Sequence, residues 1–395
     1  MNILFLDQFS ELGGAQRCLL DLLPALAERG WRARAAIPGE GPLVEALRAR
    51  DIRVDEISCG PYRSGSKSTT DILRFPWDVW RQARVIRRLV AEESFDLIYV
   101  NGARVLPAAA VVARGRVPVL FHAHFPIYGY MARLAGWSVR RANATVAACC
   151  QFVARPLRRH VARGRLRVIL NGTPDLGFRE RDFGPNGRWR IGVIGRIAPE
   201  KGQTTFVRAA AVLAPMFPQA RFLICGSPFW AARNYFDEVR RLAQGLPVDF
   251  LEWQYDVART LAELDLLVIP SVQEGMPRVM LEAFSAGLPV VAFPASGIPE
   301  AIEDEVTGFL VPGTSSEALA ARIRGLIAGN TERLVAVAHN ARQRWEQCYT
   351  LEAYRQEIIG LMRDLASDRE ERRTSLGTPS AARSARSGAG RVGDV

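Results

Sequence analysis

A chain of 395 residues is longer than one hydrophobic core usually serves, so two domains of ordinary size are expected. Hydrophobic residues at 48% and charged residues at 24% exclude a chain that is disordered throughout. The formal net charge of +11 favours anionic partners, while six cysteines without a CxxC and only four histidines exclude the common zinc-ligand spacings.

"MNILFLDQF" enters a strand at once, with no basic segment ahead of a long apolar one, so no export signal is expected and reduced thiols in the cytoplasm fit. No apolar run is long enough to cross a bilayer, which leaves only peripheral membrane contact. Next, "FSELGGAQRCLLDLL" places Gly13 and Gly14 before a helix whose apolar face is Leu19, Leu22, Leu23 and Leu26. Glycine lets backbone approach a phosphate, and the amides at a helix start favour an anion. The spacing is not G-x-G-x-x-G, and an ordinary turn accounts for the same residues.

"ARAAI", "DLIYV", "VPVLFH", "ATVAAC" and "RLRVIL" follow as short apolar runs between amphipathic stretches, the rhythm of a parallel sheet. Within "WDVWRQARVIRRLVAEE", helical winding gathers Val79, Ala83, Ile86 and Val90 on one face and Arg81, Arg84 and Arg88 on the other. The arginines read as a solvated face or as a contact for anionic lipid headgroups. Residues 1–173 make a first Rossmann-like domain, and the Gly-, Pro- and charge-rich segment 174–188 a linker.

The rhythm restarts with "RIGVIG", "ARFLICG", "VDFLEW", "DLLVIPS", "PVVAF" and "GFLVP", which gives a second Rossmann-like domain over 189–349. The fold class is therefore α/β, two doubly wound domains facing a cleft. A last helix, 350–366, is expected to pack back on the first domain. The basic Ser-, Gly-, Ala- and Arg-rich tail 367–395 has no core pattern and is expected to be disordered.

Two segments of the second domain carry the chemistry. In "GVIGRIAPEKGQTTFVRAA", Arg196 and Lys201 can converge on one anion, a diphosphate being the natural guest, although surface cations are usually solvated. In "PSVQEGMPRVMLEAFSAG", Glu274 and Gly275 form a loop, Pro277 suits the first turn of a helix over 277–286, and Gly287 suits its end. Glu282 lies inside that helix among Met280, Leu281, Ala283 and Phe284, where two carboxylates near one crevice suit sugar hydroxyls.

Together, "GRIAPEKG" and "PSVQEGMPRVMLEAFSAGLPVVAFPASGIPEAIEDEVTGFLVP" resemble the donor-binding half of glycosyltransferase family 4, which has the GT-B fold. "GGAQR", "FHAHF" and "VILNGTPD" extend the resemblance more weakly over the first half. It implies a retaining, metal-independent transfer of a sugar from a nucleotide-diphosphate sugar to a hydroxyl acceptor, with no cofactor. No Asp-x-Asp pair is present. By the same resemblance, Arg196 and Lys201 hold the donor diphosphate, Glu282 the ribose and Glu274 the transferred sugar. The backbone of Gly275, Met276, Pro277, Arg278, Val279 and Met280 completes the donor pocket, and Gly13 and Gly14 approach it from the opposite domain.

His122 falls where the family has a histidine near the reacting sugar, with His124 as its competitor, because alternation puts both on one face. Gln16 and Cys149-Cys150 depart from the family's usual residues and bear on the acceptor side. The segment from Leu251 to Asp256 is expected near the base. The implied partners are a nucleotide-sugar, an acceptor such as a lipid-linked saccharide of surface polysaccharide or glycolipid synthesis, and the inner face of the cell membrane. Nucleic acid is not expected, since no basic stretch with interleaved aromatics occurs. A non-enzymatic sugar or nucleotide-sugar receptor, or an inactive partner subunit, remains as the alternative.

Overall fold

The computed structural model describes residues 1–60, 69–228, 233–254 and 256–376. The strands of the first lobe are β1 (Asn2–Leu6), β2 (Arg32–Ile37), β3 (Arg53–Glu56), β4 (Leu97–Val100), β5 (Val119–Ala123), β6 (Thr145–Ala148) and β7 (Leu166–Val168). They form one sheet in the order β3-β2-β1-β4-β5-β6-β7, every pair parallel. The second lobe comprises β8 (Arg190–Ile194), β9 (Arg221–Cys225), β10 (Val248–Leu251), β11 (Leu266–Ile269), β12 (Val290–Ala292) and β13 (Phe309–Leu310). These form a second parallel sheet in the order β10-β9-β8-β11-β12-β13.

The central strands are apolar on both faces because helices cover both. Leu4 and Leu6 of β1 join one core cluster, Ile3 and Phe5 another. β3 is absent from the sequence reading. It is an edge strand of sequence RVDE, too charged and too short to show an apolar run.

Strand order reverses direction between β1 and β4 in the first sheet and between β8 and β11 in the second. The loops that leave the carboxyl ends of strands flanking such a point open into a crevice. Chain order thus brings residues 8–13 beside 101–105 in one lobe, and 195–202 beside 270–277 in the other.

The helix Gly14–Ala27 buries Leu19, Leu22, Leu23 and Leu26 as its period requires. In the long helix Thr69–Glu92, Ala83 and Ile86 are buried, Val79 and Val90 pack partly against the same core, and Arg81, Arg84 and Arg88 face outward. The segment between the lobes is strapped to the second one. Phe183 and Trp189 enter its core, and Arg181 donates to the carbonyls of Leu264 (2.7 Å), Gly287 (3.2 Å) and Leu261 (3.2 Å).

The chain recrosses between lobes beside its first crossing: the Thr173 amide donates to the Tyr349 carbonyl (3.0 Å), and the Leu351 amide to the Thr173 carbonyl (3.0 Å). The helix Leu351–Leu376 then returns to the first lobe, burying Tyr354, Ile358, Ile359 and Met362 in its core. This helix runs past residue 366, where a disordered tail was expected to begin. Segment 367–376 is polar but rich in Glu and Arg, which favour helix, and the first breakers come at Gly377 and Pro379. Residues 377–395 of the expected tail lie outside the described residues.

Candidate active site

The second lobe supplies the charged half of the cleft. β8 ends at Ile194, and the chain turns through Arg196 and the short 3₁₀ turn Pro199–Lys201 into the helix Gln203–Leu213. Gln203 braces this turn, donating from Nε2 to the Arg196 carbonyl (2.9 Å). Gly202 closes it at φ +71°, and a Cβ there would meet the Pro270 carbonyl oxygen at 2.1 Å. Only glycine lets this turn press against the end of β11. The contact brings Lys201 to Glu274, which form an ion pair, while Arg196 pairs with Glu200 at 2.5 Å.

The helix after Glu274 spans Arg278–Ser285, one residue shorter at each end than 277–286, with Pro277 as its N-cap and the chain turning at Gly287 (φ +67°). Its leading amides carry the partial positive charge of a helix start. Met276 and Met280 point into the apolar core and Val279 packs against it, so these residues offer backbone, not side chains, to the cleft. Glu282 is buried, with the Arg278 Nη2 at 3.5 Å.

Arg278, whose backbone is expected at the donor, spends its guanidinium across the cleft. Nη1 lies 2.7 Å from Asp21 Oδ2, in an ion pair too oblique for a hydrogen bond, and donates to the Gly172 carbonyl (3.1 Å) and Cys18 Sγ (3.5 Å). Burial opposes its charge, but Cys18, Glu282 and Asp21 outweigh burial and raise its pKa. Arg278 is a charged strut between lobes. Gly14 faces it, a Cβ there lying 3.7 Å from Arg278 Cδ, and Gly13 caps the helix start with its amide donating to Gln16 Oε1 (3.2 Å).

At Gly275 the two lobes press together. A Cβ on it would sit 2.0 Å from the His124 carbonyl oxygen and 3.1 Å from Cys149 Sγ. The paired cysteines therefore form the wall behind the Glu274 loop.

The two histidines part company. His122 lies within β5, paired with Ala147, and is 1% exposed. Its Nδ1 meets the Tyr99 hydroxyl at 2.5 Å, its Nε2 has no partner among the described residues, and its ring stacks near Tyr354 of the returning helix. The expectation that His122 reaches a reacting sugar does not fit this position, because the strand still holds it inside the sheet. His124 lies one residue past the strand end, 8% exposed, with Nε2 2.9 Å from Asn101 Oδ1. Burial, then Arg278, pushes its pKa down to about 3, while burial and His124 lower that of His122 well below the usual value. Both imidazoles are neutral at pH 7.

Sequence reasoning missed Asp7 and Asn101, buried at the ends of β1 and β4. Their signal was position: a polar residue directly after each strand flanking the switch point. Of the segment expected near the base, Tyr255 lies outside the described residues.

Two doubly wound lobes with facing switch points define the GT-B architecture. A family model described as Glycosyltransferase Family 4 matches residues 12–175, and one described as Glycosyl transferases group 1 matches 188–329. HepE (Alr3699) of Anabaena, solved with UDP-glucose, superposes with a TM-score of 0.77 at 25% identity, covering 92% of this chain and 100% of that one. The D-inositol 3-phosphate glycosyltransferase of Mycobacterium leprae is 32% identical over 241 residues, 55% of this chain and 51% of that protein. The enzyme of the same name from Mycobacterium marinum is 36% identical over 146 residues, 35% and 30% of the two chains. The chain spans about half or less of the length of these curated relatives. It belongs to the family 4 glycosyltransferases of the GT-B fold.

Proposed function

We propose that the protein transfers a sugar from a nucleotide-diphosphate sugar to a hydroxyl acceptor, with retention of configuration and without a metal ion. The observation that carries this reading is the convergence of Arg196, Lys201, Glu274 and the Glu282 helix at the β8–β11 switch point, opposite the glycine pair. Each cation there already sits on a carboxylate, so the site is built for charge exchange. An arriving diphosphate takes Lys201 from Glu274 and Arg196 from Glu200. Glu274, released, accepts hydrogen bonds from the transferred sugar, and Glu282 from the ribose.

The anomeric carbon then loses its bond to the diphosphate oxygen and gains one to the acceptor oxygen on the same face. The acceptor proton passes to a diphosphate oxygen, and the two cations stabilise the departing charge. A neutral His124 is a hydrogen-bonding neighbour in this scheme, not the proton's destination.

The acceptor proposed is a lipid-linked saccharide of surface polysaccharide or glycolipid synthesis, taken at the inner face of the membrane. Among the described residues no helix is long and apolar enough to cross a membrane, and the attachment proposed is peripheral. The supporting surface is the start of the Thr69–Glu92 helix, where Leu73 (80% exposed), Trp77 (58%) and Trp80 (50%) face solvent and the two indoles stack at 4.8 Å. Arg84 lies over Trp80, whereas Arg88 is tied to Asp55 and Glu92, so lipid contact rests on this aromatic end more than on the arginine row.

The test is release of nucleoside diphosphate over a panel of UDP-, GDP- and ADP-sugars with candidate acceptors. Acceptor-dependent release from one donor, with the anomer retained in the product, supports the reading. Tight binding of free sugar without turnover would instead make it a receptor.

A further inference from the structure

Three adjacent strands of the first sheet, β1, β4 and β5, each place one polar residue at their carboxyl ends: Asp7, Asn101 and His124. All three are buried and bonded in a row. Asp7 Oδ1 accepts from the Phe9 amide (2.9 Å) and from Gln16 Nε2 (2.9 Å). Its Oδ2 accepts from Asn101 Nδ2 (2.6 Å) and from Gln16 Nε2 (3.1 Å). Asn101 Nδ2 also donates to the Ala15 carbonyl (3.2 Å), and Asn101 Oδ1 faces His124 Nε2 at 2.9 Å.

Donor and acceptor chemistry leaves one arrangement. An ionised carboxylate and a backbone carbonyl only accept, so both demand the NH₂ end of the Asn101 amide. Its oxygen must then point the other way, at His124. A carbonyl oxygen also only accepts, so His124 Nε2 must carry the hydrogen. In a neutral ring Nδ1 is then left with its lone pair.

We propose that Asp7, acting through Asn101, is a positioning residue that locks His124 in its Nε2–H tautomer and leaves Nδ1 as an acceptor for a substrate hydroxyl. The substrate part rests on the transferase reading above; the tautomer does not. The same carboxylate holds Gln16, whose Oε1 accepts from the Gly13 amide, so the lock also anchors the glycine loop facing Arg278. Gln16 has a stated task here that an acidic residue lacks, since it must donate to Asp7 and accept from Gly13 at once.

The experiment is nitrogen NMR of histidine-labelled full chain, in which only four histidines contribute and His124→Gln identifies the relevant signals. Wild type is expected to show a protonated, pyrrole-type Nε2 and a bare, pyridine-type Nδ1 at His124. The reverse pattern overturns the proposal whether or not any sugar is transferred. Asn101→Leu, which removes the acceptor, is expected to release the tautomer and lower kcat about ten- to a hundredfold, with donor KM little changed. Asn101→Asp shares one proton with Asp7 and still turns an acceptor toward Nε2, so it is expected to keep the wild-type pattern. An unchanged tautomer and kcat in Asn101→Leu would overturn the proposal as well.

Discussion

Replacing Arg278 by methionine removes the guanidinium that joins the lobes and keeps an apolar stem of similar length. Its charge lies between Glu282, whose side chain is 7% exposed, and Asp21, 25% exposed, so both carboxylates lose their cation at once. Breaking one side of a buried pair costs about 3–5 kcal/mol, and the partly wet Asp21 sets the value near the lower limit, about 3 kcal/mol. At about 2 °C per kcal/mol for a chain of this size, the melting temperature should fall by about 6 °C. Differential scanning calorimetry of wild type, Arg278→Met, Asp21→Asn and the double variant gives the coupling directly. An interaction of about 1 kcal/mol or more between two residues 257 positions apart is the signature of an inter-lobe pair. A melting temperature within about 1 °C of wild type, or strict additivity, would refute the reasoning.

Burial raises the Asp7 pKa from 3.8 to about 6, with hydrogen bonds from Asn101, Gln16 and backbone only partly offsetting it. The native state thus binds this proton more tightly than the unfolded chain, so the term favours folding at low pH and is lost as pH rises from about 4 to 6. Relative to Asp7→Asn, wild-type stability should fall by about 3 kcal/mol across that window in chemical unfolding, and a pH-independent difference would contradict the assignment. Gly275→Ala puts a methyl group 2.0 Å from the His124 carbonyl oxygen, and kcat/KM should drop at least about tenfold as the Glu274 loop is forced back. Full activity with an unchanged melt would show that the loop does not need this contact. Glu200→Gln frees Arg196 from its carboxylate, and calorimetric affinity for a nucleoside diphosphate should rise about two- to fivefold. A lower affinity would mean that Glu200 orients Arg196 instead of competing for it.

The fold was legible because nearly every strand is a short apolar run with a helix behind it, so alternation and length sufficed. β3 was not, since an edge strand reading RVDE has one wet face and no apolar signature. The positions of Arg196, Lys201, Glu274 and Glu282 at the cleft followed from which strands they terminate. Side-chain direction did not follow. Period two puts His122 and His124 on one face, and only the point at which β5 stops separates a sealed ring from one at the cleft edge. Arg278 was legible as backbone at the start of the right helix; that its guanidinium reaches Asp21 depends on how closely the lobes meet, which no local pattern encodes. Asp7 and Asn101 were marked only by their positions after β1 and β4; their partnership was silent, since it links positions 94 apart.

The central claim is that Arg196, Lys201, Glu274 and Glu282 form a nucleotide-sugar site. Its most direct test is isothermal titration of the donor found active in the release panel against wild type, Lys201→Ala and Glu282→Ala, with each variant's fold checked by circular dichroism. Lys201→Ala is expected to lose most of the diphosphate contribution, about 1.5–3 kcal/mol or roughly ten- to a hundredfold in Kd, and Glu282→Ala to weaken nucleoside and nucleoside diphosphate alike. Donor affinity and turnover that survive unchanged in both folded variants would contradict the account.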